Sequence, residues 1–186
     1  MNRVIPLQVP WMVAPSMPSL KLYSEEYGST RVELFAFFGF VPENRDVSPV
    51  FAPSYDTDGV ALDSKNLSGR YQLICLDFEK VGWVRRSPQH SDSDVVDESR
   101  FDWSCVKGRP EPNEQPADWH TRVMQDWSIT RISPDPSVYI VENSDWNNEE
   151  SKRFGLTHYL ILGEYCYIEI LAGAMEWSSK GSLNGW

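Results

Sequence analysis

Three kinds of side chain in this sequence could do chemistry: carboxylates in two dense runs, three histidines and three cysteines. The first run holds Asp92, Asp94, Asp97, Glu98 and Asp102 against Arg100 alone. The second holds Glu142, Asp145, Glu149 and Glu150 with no base among them. Each run is four charges negative, so together they supply most of the formal net charge of −10. Trp103 adjoins the first run and Trp146 lies within the second. Indole anchors ringed by charge are the composition of protein–protein hot spots. A field of this sign draws in a basic partner and speeds its association by ~10–10³. These nine carboxylates and two tryptophans are therefore the expected partner-binding surface. If the runs are neighbours in the fold, the acid is a site; if they are opposed, it serves solubility.

Other constellations carry less. Asp56-Thr57-Asp58-Gly59 resembles the DxDG signature of haloacid-dehalogenase-type phosphatases, whose first Asp is the nucleophile and whose second is the acid/base. That resemblance implies a buried central strand running into the motif, which Pro53 interrupts. The alternating βα pattern that should follow is missing too. The segment reads as an acidic turn, and as a calcium loop its Gly59 comes two places early. His90, Asp92 and Asp94 alternate as metal ligands would, yet no further histidine supports them. His120 and His158 read as packed or surface residues. No nucleophile elbow or phosphate-cradling glycine loop occurs. No cofactor and no metal are expected, and the sequence leans against an enzyme. One alternative gathers Trp83, Trp103, Trp119, Trp127 and Tyr167 around an aromatic pocket, where carboxylates serve a small-ligand binder or a hydrolase-like enzyme. Another is a structural or assembly subunit using its sheet edges.

Cys75, Cys105 and Cys166 form no CxxC pair, which suits reduced thiols in the cytoplasm, with Cys75 and Cys166 inert inside strands. Pro6, Pro10, Pro15 and Pro18 break the early apolar run that a signal peptide would need. The longest apolar stretch, 34–41, is too short to span a bilayer. The acid excess argues against direct nucleic-acid binding and against anionic membranes.

The elements that must position these residues are mostly strands. Apolar residues alternate over 31–41, placing Val32, Leu34, Ala36, Phe38 and Phe40 on one face. The opposite face begins charged at Arg31 and Glu33 and turns apolar at Phe35 and Phe37, as in a strand passing under cover. Further strands are expected at 70–78, 101–106 and 138–141, with 81–84 folding back onto 70–78 through Glu79-Lys80. Segments 156–162 and 165–171 read as a hairpin turning at Gly163-Glu164. Residues 118–127 suggest one helix, with Asp118 as N-cap and Trp119, Val123 and Trp127 in a stripe. A further helical turn fits within 145–153. Polar loops are expected at 42–68, 87–99 and 108–116. The expected fold is a single α+β domain over 1–186, mainly an antiparallel twisted β-sheet with one or two short helices packed on it. The expected function is non-catalytic binding of a basic protein in the cytoplasm. In character the chain is similar to bacterial immunity proteins, which inhibit a toxin or nuclease.

Overall fold

A computed structural model describes residues 1–14, 20–24, 29–39, 71–87 and 96–182. The motif at Asp56–Gly59, the residues His90, Asp92 and Asp94, and the 42–68 loop lie outside the described residues. The strands are β1 (Asn2–Pro6), β2 (Trp11–Val13), β3 (Leu20–Ser24), β4 (Thr30–Phe38), β5 (Tyr71–Glu79) and β6 (Trp83–Arg86). They continue as β7 (Phe101–Asp102), β8 (Val138–Glu142), β9 (Thr157–Leu162), β10 (Tyr167–Ala172) and β11 (Ala174–Ser182). The helices are α1 (Pro116–Thr130) and α2 (Glu149–Arg153), and Glu98–Arg100 forms one 3-10 turn.

The expected α+β class with antiparallel pairing is what the chain adopts, with the strands divided between two sheets. One runs β6-β10-β9-β8-β1-β7, and the other runs β11-β5-β4-β2 with β3 also on β4. Every described pair is antiparallel except β1 with β7. Period-two alternation explains the layering. Val32, Leu34, Ala36 and Phe38 of β4 meet Tyr159 and Ile161 of β9 and Ile168 and Ile170 of β10 in one core between the sheets. The intervening residues of the six-stranded sheet face outward. There Val4, Tyr139, Val141 and Leu160 form a second core, which Val96, Phe101 and Val106 cover. We call this the outer face.

The far face of β4 behaves as its pattern predicts. Arg31 pairs with Asp77 at 2.7 Å and remains in water, whereas Phe37 is buried against α1. Trp127 and Met124 of α1 pack there, and Gly39 lets the Trp127 ring approach; a Cβ at Gly39 would stand 2.5 Å from it. The helix starts one turn earlier than Asp118 suggests. Gln115 is the N-cap and Pro116 takes the first helical position, where its missing N–H is no loss. Asp118 falls in the first turn instead, where its charge still suits the helix dipole.

Strand β6 corrects a second expectation. It pairs with β10, in the other sheet, and not back onto β5. Position 83–86 allows either pairing by hydropathy alone, and Arg85 opposite Glu169 selects β10. The expected strand at 101–106 ends after Asp102, because the Asp102 carboxylate accepts the Ser104 N–H and turns the chain.

Candidate functional site

Strand β1 lies between the described end of the first acidic run and the start of the second. In register, Arg3 lies opposite Asp102 of β7 on one side and Glu142 of β8 on the other. Alternation puts these three side chains opposite the outer face, which Val4, Phe101 and Val141 occupy. The Asn2 side chain accepts the Asp145 N–H at 2.9 Å, tying the 144–148 turn to the same strand. Arg100 of the first run reaches Asp145 of the second at 3.5 Å.

Proximity is accompanied by neutralisation from cations that arrive from elsewhere. Arg3 stands 3.8 Å from Glu142, and Arg109 grips Glu98 through two bonds of 3.0 Å. Lys152 pairs with Glu149 at 3.1 Å. Asp97 caps the 3-10 turn by accepting the Ser99 N–H and hydroxyl at 3.1 and 2.6 Å. These contacts favour the ionised form of Asp97, Glu98 and Asp102. The Ser99 hydrogen bonds hold Asp97 below the usual carboxylate range, Arg109 does so for Glu98, and the Ser104 backbone for Asp102. Glu142, Asp145, Glu149 and Glu150 are exposed.

Neither tryptophan stands free. Trp103 is half-buried against Phe101 and Tyr139, with ring centroids 5.7 and 5.4 Å away. Its Nε1 donates to the Glu98 carbonyl at 3.3 Å, and the Arg109 guanidinium lies 3.8 Å from its ring centroid. Trp146 stacks on His158 at 4.8 Å and 4°, with the Arg85 guanidinium 4.9 Å from its ring. Both indoles therefore offer part of a ring, edged by arginine, on the outer side of the six-stranded sheet.

Beneath Trp146 lies a polar group that no sequence motif announced. Glu169 is 0% exposed, and its Oε2 accepts from Arg85 Nε at 2.7 Å and from a second Arg85 nitrogen. Its Oε1 faces His158 Nε2 at 3.6 Å, and His158 Nδ1 shares a 2.7 Å hydrogen bond with the Ser144 hydroxyl. Burial alone would raise the Glu169 pKa. The Arg85 guanidinium bonded to it, with the His158 ring beside it, outweighs that effect and holds the carboxyl below its ordinary value. The available signal was a lone Glu169 between Ile168 and Ile170, in a strand otherwise apolar on both faces.

Serine, histidine and glutamate in a row are the residue types of a nucleophilic triad. The geometry assigns them another task. Ser144 is buried, and its hydroxyl accepts the Trp146 N–H at 3.0 Å. The same hydroxyl also bonds His158 Nδ1, so Ser144 links the ring to the Trp146 backbone. The row fixes the turn that carries Asp145 and Trp146.

Trp146 borders a concavity of about 450 Å³, lined by Trp83, Val84, Arg85, Asp145, Asn148 and Leu171 as well. The five rings expected to share one pocket do not meet there. Trp127 is buried under Gly39, Trp119 donates to the Gly108 carbonyl at 2.7 Å, and Trp103 and Tyr167 belong to the outer-face core. Trp83 alone of the five lines the concavity. The carboxyl that burial raises, Asp135, is bonded to the Tyr139 hydroxyl and does not border that space. Among the described residues, no helix is long and apolar enough to cross a membrane, and no cluster of three or more His, Cys, Asp or Glu could hold a metal. No protein-family model matches the chain, and no match is found among curated proteins or solved structures.

Proposed function

We propose that this protein is a non-catalytic binding module that meets a basic protein with its two acidic runs. The observation that supports it most is the Arg100–Asp145 contact, through which the 97–102 segment touches the 144–148 turn at the outer face. Exposed Asp145, Glu149 and Glu150 supply the field and half-buried Trp103 and Trp146 supply rigid apolar area beside them, while Asp102 and Glu142 lie across the sheet around Arg3. Arg3, Arg100, Arg109 and Lys152 moderate that field. An approaching lysine or arginine must compete with these resident cations, so recognition depends on position as well as on sign. The most concrete form of the reading is an immunity-type inhibitor held by a bacterium against a basic toxin or nuclease.

Affinity capture from the native host, repeated with Asp145→Lys/Glu150→Lys, tests it. One basic partner should bind the parent chain, weaken as salt rises, and bind the doubly reversed chain at least ~10-fold less well. A partner held equally by both chains, or one indifferent to salt, counts against the reading.

The concavity between Trp83 and Trp146 favours a second reading, a small-ligand site. Its volume of about 450 Å³ falls within the range of such sites, and Arg85, Asp145 and Asn148 would orient the ligand.

A further inference from the structure

Edge strand β6 sets an indole and a guanidinium side by side on the outer side of the six-stranded sheet. Val84 packs against the core between the sheets, so alternation turns Trp83 and Arg85 the other way. In register, Trp83 lies opposite Leu171 of β10, and Leu171 lies opposite His158 of β9, on which Trp146 stacks. The concavity of about 450 Å³ therefore has buried Leu171 as its floor, with Trp83 at one wall and Trp146 at the other.

The polar groups of the walls are held from behind. Glu169 takes Nε and one terminal nitrogen of Arg85, and the other terminal nitrogen has no hydrogen bond among the described residues. Asn148 caps α2 through its side-chain oxygen, which accepts the Ser151 N–H at 2.8 Å and leaves the amide N–H groups over. Asp145 is anchored through its backbone to Asn2. A buried carboxylate under Arg85 is a poor source of stability and a direct means of holding a ligand-binding guanidinium still.

Charge narrows the choice of ligand. Arg85 is paired with Glu169, and Asp145 with Arg100. A cation entering here meets Arg85, and an anion meets Asp145 on a chain of net charge −10. A neutral molecule that both donates and accepts meets neither obstacle. Trp146 already carries His158 on its ring and the Arg85 guanidinium 4.9 Å from its centroid, whereas Trp83 is 42% exposed and is the more open platform. The C–H face of a pyranose suits one such indole, because its hydrogens are slightly positive against the negative face of the ring. Its hydroxyls can donate to Asp145 and accept from Arg85 and Asn148.

We infer that the concavity binds one ring of a neutral saccharide, stacked on Trp83 and oriented by Arg85, Asp145 and Asn148, a conclusion that rests on the small-ligand reading of the same place.

Calorimetric titration of the full chain with cellotriose, maltotriose, mannotriose and triacetylchitotriose tests it, with adenosine and choline alongside. At least one trisaccharide should bind, and 1 M salt should change its affinity by less than about twofold, since no ion pair forms with it. Trp83→Ala should weaken that binding at least ~10-fold and Trp83→Phe less. Asn148→Ser, which keeps an oxygen at the helix cap and withdraws the amide, should weaken it several-fold. Circular dichroism checks that each variant is folded; if Trp83→Ala is not, Trp83→Phe and Asn148→Ser decide. No trisaccharide bound, or one bound equally by the folded variants, overturns the inference. Adenosine or choline bound through Trp83 without any trisaccharide overturns it too, yet leaves the small-ligand reading standing. No probe bound at all removes both.

Discussion

Two stations on the outer side of the six-stranded sheet are built from the same three side chains. In one, Arg109 lies over Trp103 and pairs with Glu98; in the other, Arg85 lies over Trp146 and pairs with Glu169. They differ in where the carboxylate sits. The Glu98 side chain is 60% exposed, while that of Glu169 is 0% exposed. Water screens the first pair, so it adds little to stability. The second has given up the hydration of a carboxylate and depends on its partners to offset that loss. The first station is thus held weakly and faces water. The second is a fixture that holds the 144–148 turn.

The comparison breaks most visibly at Arg85. Arg85→Met leaves Glu169 buried beside His158 alone and should lower unfolding free energy by about 3 kcal/mol, near the low end for broken buried pairs because Arg85 is itself partly exposed. Urea unfolding measures this, and Arg85→Met/Glu169→Leu should recover most of the loss. A single-variant loss under about 1 kcal/mol would make the two stations equivalent.

Acid sharpens the contrast. Both carboxyls titrate below their ordinary value in the folded chain, Glu169 through His158 and Arg85 against the effect of burial, Glu98 through Arg109. Their contributions are complete above the unfolded value near pH 4.5 and fade as pH falls through the folded one. Glu169→Gln should flatten the acid limb of the stability curve at low salt and at 1 M salt alike. Glu98→Gln should flatten it only at low salt, where the exposed pair is unscreened.

The smallest effect belongs to Glu98 at neutral pH. Glu98→Gln should cost less than about 1 kcal/mol, and Arg109→Ala somewhat more, because it also uncovers the Trp103 ring. Tryptophan fluorescence during urea unfolding separates the two.

Legibility in the sequence followed the range of the interaction. Strand β4, the β9–β10 hairpin and the cover over Phe37 were readable because alternation and turn residues act between neighbours. Strands β1 and β2 were hidden by Pro6 and Pro10, which end a strand without preventing it. Strand β11 sets only Met175 and Trp177 toward the core, too short an alternation to stand out from its exposed Glu, Ser and Lys. The acidic runs were visible as composition. Their pairing was not, because Arg3, Arg85 and Arg109 reach them through sheet register and chain reversal. Arg85 and Glu169 are 84 positions apart. Hydropathy therefore had no means of indicating that β6 belongs beside β10.

The position of β1 also has a consequence for the order of folding. Strand β1 precedes every other described strand yet occupies the interior of its sheet, and the Asn2–Asp145 hydrogen bond closes a loop of 143 positions. Such pairings must overcome loop-closure entropy before they return any stabilisation, so topology of this kind slows folding. During synthesis β1 is made well before β7 and β8 exist, and until then its two hydrogen-bonding edges are open to other chains. The strand that lies between the acidic runs is thus also the one a nascent chain must protect longest, and overexpression should find its aggregation hazard there.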